Sequence, residues 1–174
     1  MLSIALVAQG NSKECYLELE IEAAKKIVNI NNNFVFDTVL SQFGIIGQTL
    51  PTIEMIGEQI GIWLKQFKSK RIEVCFDYYS DFDLLVDALK KTNFSRGFKT
   101  EPVFDPTRLV RCDVAYILSE NLTSIETIMN ESFNQSMITQ NIDKHHALAD
   151  ARALKLAYNK YMNYIFPPCK DTPD

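Results

Sequence analysis

Nowhere in the 174 residues is there an apolar run long enough to cross a bilayer, which takes about 20 residues, so no membrane-spanning helix is expected. Paired cysteine spacing is missing too. Cys15, Cys75, Cys112 and Cys169 are scattered with no C-x-x-C, which excludes a zinc ribbon or a redox pair and fits reduced thiols in a cytoplasm. There is no surplus of basic charge. A net charge of −4 argues against coating duplex DNA, which relies on many lysine and arginine contacts to phosphate. It leaves room for a site that grips one strand end through metal ions, which bring their own positive charge. Met1 to Ala8 is apolar but has no basic segment before it and no small-residue cleavage site after it, so it reads as a strand and not as a signal peptide.

What is present is an ordinary globular composition, 47% hydrophobic and 23% charged, in a chain long enough to bury a core without disulfide or zinc. One domain over residues 1–166 and a polar tail over residues 167–174 are expected. Leu2 to Ala8, the turn formers Gln9 to Ser12 and the alternating Cys15 to Glu20 read as a β-hairpin. An asparagine-rich loop around Asn29 to Asn33 leads to a helix near Phe34 to Gln42, and Gly47 to Pro51 is a break. Ile53, Ile56, Ile60, Trp63, Leu64 and Phe67 then recur at helical spacing.

A short strand over Arg71 to Phe76 and a helix from Ser80 to Lys91 follow, the unit that places side chains at a strand's C-terminal mouth. Asn93 to Pro106 reads as loop, Leu109 to Cys112 as extended, and Thr123 to Phe133 as a helix capped by Thr123. Asn134 to Lys144 reads as a polar linker before a terminal helix from His145 to Tyr164, which Pro167 and Pro168 stop.

Two places carry candidate chemistry. His145 and Asp150 are five apart at a helix start, where the imidazole stands at the entrance and the carboxyl close beneath it, although the same residues also serve simply to cap and solvate a helix. Phe76-Asp77-Tyr78-Tyr79-Ser80-Asp81-Phe82-Asp83 puts three acids where a strand passes into a helix, a position that the helix dipole favours for acids in any case.

The run from His145 to Leu154, with small or apolar residues between His and Asp and an alanine after the Asp, resembles the third motif of the DEDDh superfamily of 3′→5′ exonucleases. The segment Phe82-Asp83-Leu84-Leu85, just past a strand, resembles the second. The resemblance covers most of the chain and is nearest to small stand-alone exoribonuclease-like members. It implies an α/β fold of the RNase H-like type, a mixed sheet flanked by helices.

In that comparison Leu2 to Ala8 and Glu14 to Leu19 match the second and third strands, so the first, central strand and its Asp-x-Glu motif have no counterpart. Three expectations follow: the natural protein extends upstream of Met1, the Leu2 to Ala8 strand pairs directly with Arg71 to Phe76, or a partner donates a strand. Glu18-x-Glu20 has the look of the missing motif but sits on the third strand, where exposed acids are expected.

The resemblance further implies two Mg²⁺ or Mn²⁺ ions held by carboxylates, with Asp83 and Asp150 as surviving ligands and Asp77 and Asp81 as alternatives to Asp83. It makes His145 the general base and His146 a solvated neighbour. Tyr78 and Tyr79 are expected to stack on a terminal base and Arg152 to reach a phosphate. The implied partner is the 3′ end of single-stranded RNA or DNA, in a cytoplasmic, non-membrane protein of a type that is often a homodimer. With two carboxylates absent, the alternatives are a binding module of that fold that does not cleave, or an α/β interaction domain in which the His–Asp pair is incidental.

Overall fold

The computed structural model describes residues 1–28, 33–92, 103–114, 125–142 and 144–166. The expected hairpin forms first: β1 (Ser3–Val7) pairs antiparallel with β2 (Glu14–Leu19), Ala5 facing Tyr16. Helix α1 (Ile21–Ile27) follows directly. The segment expected as a helix near Phe34 to Gln42 is helical but irregular, a π turn over Val35–Val39 running into a 3-10 turn over Leu40–Gln42. The break at Gly47 to Pro51 contains a short strand, β3 (Gln48–Leu50), which pairs parallel with β2.

Helix α2 (Ile53–Leu64) begins at Thr52, whose hydroxyl accepts from the Met55 N–H at 3.3 Å, and it buries Ile56, Ile60 and Leu64 on one stripe. β4 (Ile72–Phe76) passes into α3 (Tyr79–Lys91), and β5 (Leu109–Asp113) pairs parallel with β4, Cys75 opposite Cys112. Asp105 caps the 3-10 turn before β5 by accepting from the Thr107 N–H at 3.0 Å.

Helix α4 (Ile125–Gln140) runs through most of what reads as a linker in the sequence. Asn, Ser and Thr are weak helix formers, but this stretch packs against the terminal helix α5 (Ala147–Ile165), and tertiary packing overrides propensity. Asn141, at φ 53°, ends α4 in the left-handed conformation asparagine tolerates. The expected cap Thr123, most of the 93–106 loop and the 167–174 tail lie outside the described residues.

The chain is therefore a mixed α/β protein, and its layers follow from strand alternation. Leu17 and Leu19 of β2 face α2 and α3, joining a core with Ile56, Ile60, Phe76, Leu85 and Leu89. Tyr16 and Glu18, on the other face of β2, point to the side of α5, where the Tyr16 ring lies 4.6 Å from that of His146. A second, smaller core joins Cys112 and Val114 to Leu154 and Ala157 of α5. Gly57 lets α2 and α3 meet closely, since a Cβ there would lie 2.1 Å from the Ala88 carbonyl oxygen.

The strands form two sheets, β1-β2-β3 and β4-β5. Direct pairing of Leu2 to Ala8 with Arg71 to Phe76 is thus not found: β1 and β4 face each other without forming a ladder. α5 packs beneath β1 and reaches Cys75 and Cys112, so the two sheets share one helical floor.

Candidate functional site

Three carboxyl groups line one cavity at the C-terminal mouth of β4, with their oxygens not all within 4.8 Å of one another. Asp77 follows the strand's last residue, Asp81 lies in the first turn of α3, and Asp150 lies in the first turn of α5. All three line a cavity of about 250 Å³, with Met1 and Ser3 and the apolar Leu6, Val74, Phe82 and Leu154 among its other walls. Both helix N-termini favour a carboxylate locally. Their convergence raises the cost of ionising the set.

Burial pushes the Asp150 carboxyl up to about 6, and the charges of Asp77 and Asp81 add to the push against the opposing His145 N–H and Lys144. Burial, with Asp77 beside it, raises Asp81 as well. Such a set disfavours three negative charges and favours a proton or a cation among them.

The two histidines exchange the surroundings expected of them. His145 has φ 71°, a left-handed backbone that turns its N–H onto Asp150 Oδ1 at 3.3 Å, while its exposed imidazole lies edge-on to Phe34 with centroids 5.1 Å apart. His146, expected to be solvated, is 2% exposed. Its Nδ1 accepts from the Leu148 N–H at 3.2 Å and so caps α5, and its Nε2 is buried with no hydrogen-bond partner among the described residues. Burial, helped by Arg152, lowers its pKa to about 4, which keeps the ring neutral.

Glu18 also departs from expectation. Far from being an exposed strand acid, it is fully buried, accepting from the Tyr16 hydroxyl and, at 2.6 Å, from the Gly44 N–H. Glu20 is exposed. The alternation along β2 was visible in the residues, but only the fold shows that the Gly44 turn and His146 cover the polar face too.

Asp83 lies outside the acidic cavity. Its carboxylate pairs with the Arg111 guanidinium on the outer side of α3, and that guanidinium stacks over the Phe82 ring at 4.7 Å. The reason is helical: Asp81 and Asp83 are two residues apart, about 200° around α3, so only one of them can face the cavity. Tyr78 and Tyr79 are 60% and 66% exposed beside Asp77, their rings 5.2 Å apart. Arg152 is engaged by Glu14 at the start of β2, its Nε donating to Oε1 at 2.9 Å.

A different donor set, unremarked in the sequence, is Glu73, Cys75 and Cys112, whose ligand atoms lie within 4.8 Å of one another. Glu73 and Cys75 share a face because they are two apart on β4, and the parallel register brings Cys112 alongside. Burial raises both thiols and pushes the nearby Tyr158 up to about 12, so the two thiols and the phenol are held protonated. No protein family, curated protein or solved structure matches the chain.

Proposed function

We propose that the protein is a metal-dependent 3′→5′ exonuclease-type domain of RNase H-like descent, acting at the end of a single nucleic-acid strand. The placement of Asp77, Asp81 and Asp150 around one cavity at a strand mouth carries this reading. The resemblance of the His145 to Leu154 run to the third exonuclease motif supports it. The donors are all oxygen, which suits Mg²⁺ or Mn²⁺, and Asp150 sits where a positive charge relieves the burial and repulsion that raise its pKa.

In this reading Asp150, Asp81 and Asp77 hold the ions, with Asp77 and Asp81 taking the place that the motif register gives to Asp83. The ions supply charge stabilisation on a phosphate and a more acidic bound water. The chain's own groups do the rest. The His145 N–H fixes the Asp150 carboxyl, and its exposed imidazole, which lies edge-on to Phe34, would have to turn toward the cavity to serve as the base. Tyr78 and Tyr79 offer ring faces to a terminal base without regard to sequence.

The test is a labelled single-stranded RNA and DNA pair incubated with Mn²⁺ and Mg²⁺, together with thermal melts across the same titration. Nucleotide release from the 3′ end, lost in Asp150→Asn, is the expected result. An ion-dependent melt with an intact strand leaves the non-cleaving binding module, and no response in either assay removes the reading.

A further inference from the structure

The scattered cysteines offer no metal-binding spacing along the chain, yet the fold sets two of them side by side. Cys75 of β4 and Cys112 of β5 are register partners in a parallel pair, where neighbouring strands stand about 4.8 Å apart, so both thiols leave the ladder on one face. Glu73, two residues before Cys75, shares that face. The two sulfurs and a Glu73 carboxylate oxygen lie within 4.8 Å of one another. Around one tetrahedral ion with metal–sulfur bonds of about 2.3 Å, two thiolates stand about 3.8 Å apart, so side-chain rotations that move a donor by about 1 Å close the set.

The surroundings are shielded on one side and open on the other. Cys112 is buried with Leu154 and Ala157 of α5, Cys75 is half-buried and Glu73 is exposed, so the donors run from the smaller core out to solvent and leave an ion a way in. Glu73 and Cys75 also line a cavity of about 270 Å³, with Tyr158 and Lys155 of α5 on its wall. The Lys155 ammonium donates to the Asn11 carbonyl at 3.0 Å.

In the protonated state the cluster satisfies itself. The Cys112 thiol shares hydrogen bonds with Glu73 and Cys75, and burial, then the Glu73 charge, raises both thiols. The Tyr158 phenol, raised by burial and then by Cys75, Glu73 and Cys112, faces the same three groups from α5.

We infer that Glu73, Cys75 and Cys112 form a binding site for one divalent cation of the zinc class, held by two thiolates and one carboxylate with its fourth position toward the cavity that Glu73 and Cys75 line. The donors set the class: Mg²⁺ and Ca²⁺ take oxygen, whereas thiolates select Zn²⁺ and its thiophilic analogues Co²⁺ and Cd²⁺. On binding, each S–H bond breaks, the sulfur keeps the electron pair and donates it to the ion, and two protons leave to solvent with no change of oxidation state. A water molecule on the cavity side completes the tetrahedron. The ion ties β4 to β5, a two-stranded sheet that needs support beyond its own ladder. The inference rests on sulfur donors and does not depend on nuclease chemistry at Asp150.

The test uses the full chain, reduced and stripped of metal, as Cys15→Ser/Cys169→Ser, so that Cys75 and Cys112 are its remaining thiols. Titration with Co²⁺ should produce a sulfur-to-cobalt charge-transfer band that saturates at one ion per chain, with two protons released per ion in weak buffer. X-ray absorption of the Zn²⁺-loaded chain should show two sulfur neighbours at about 2.3 Å and oxygen in the remaining positions. Cys112→Ser should lose the band, Glu73→Gln should weaken binding at least about tenfold, and Asp150→Asn should leave both unchanged. Cys112 is the discriminating position because Cys75 also borders the acidic cavity. If Cys112→Ser does not fold, the sulfur count from X-ray absorption decides. The proposal is overturned if no charge-transfer band forms, if the zinc shell holds fewer than two sulfurs, or if the band survives Cys112→Ser. Saturation at one ion per two chains overturns it too, as does a Cys75–Cys112 disulfide that re-forms in the presence of Zn²⁺.

Discussion

The Tyr16 hydroxyl donates to the Glu18 carboxyl two residues along the same face of β2, and both side chains are buried. The pair sits at a junction: Glu18 also accepts from the Gly44 N–H, and the Tyr16 ring packs on His146 at the start of α5. Two partners make a fully buried acid tolerable where none would not. The arrangement also ties the sheet to the Gly44 turn and to the helix that carries Asp150.

Tyr16→Phe keeps the ring and its contact with His146 but leaves Glu18 with only the Gly44 N–H. The expected loss is about 1–3 kcal/mol in chemical denaturation, the cost of a buried polar group deprived of a partner. In Tyr16→Phe/Glu18→Leu, with both polar groups gone, part of that loss should return. If Tyr16→Phe alone is neutral, the hydrogen bond contributes nothing to the fold.

Gly47 is required by its neighbour as well as by its backbone. At φ 95° it occupies a conformation that L side chains rarely adopt, and a Cβ there would lie 2.1 Å from Tyr16 Cδ1. Gly47→Ala should therefore cost more than about 2 kcal/mol, whereas Gly10→Ala, with φ 75° and open space around it, should cost only about 1 kcal/mol. Similar losses at both glycines would show that the Tyr16 contact gives way easily.

Helix α2 and the strand-to-helix unit of β4 and α3 were legible because their apolar residues repeat at a single period and their starts carry turn formers or acids. Glu18 was not legible, because alternation identifies two faces of a strand and does not say that both are covered. His145 and His146 are adjacent, and only the left-handed backbone at His145 decides which ring goes inside. The acid register failed for a related reason. A resemblance aligned Asp83 with a motif, but the placement of α3 from Tyr79 onward turns Asp81 to the cavity and Asp83 to Arg111.

His146 should make the protein sensitive to acid. Its folded pKa is lowered from 6.5 to about 4, so between those values the unfolded chain binds more protons and stability falls as pH falls. The shift corresponds to as much as about 3 kcal/mol, lost across that window. His146→Asn retains an oxygen to accept from the Leu148 N–H and does not titrate, so its denaturation midpoint should vary less from pH 6.5 to 4. The comparison is best made on an Asp150→Asn background, because Asp150 acts in the opposite direction. An unchanged slope would mean that His146 is charged or exposed in solution.

Asp150 titrates with the opposite sign. Its folded pKa is raised to about 6 from 3.8, so the folded chain binds the extra proton, and the stability this contributes is present below pH 3.8 and lost as pH rises through 6. In metal-free buffer at pH 7.5, Asp150→Asn should therefore be more stable than the parent by about 1–2 kcal/mol, and the difference should vanish near pH 3.5. Under the proposed function, a divalent ion among Asp77, Asp81 and Asp150 would supply the missing positive charge and reverse that order. Mn²⁺ should raise the parent's thermal midpoint at pH 7.5, do so less at pH 5 where protons compete, and leave Asp150→Asn unmoved. Asp83→Asn should respond to Mn²⁺ like the parent, because Asp83 is held by Arg111 outside the cavity. A Mn²⁺ response that survives Asp150→Asn but disappears in Asp83→Asn would place the ion on the other side of α3 and overturn the assignment.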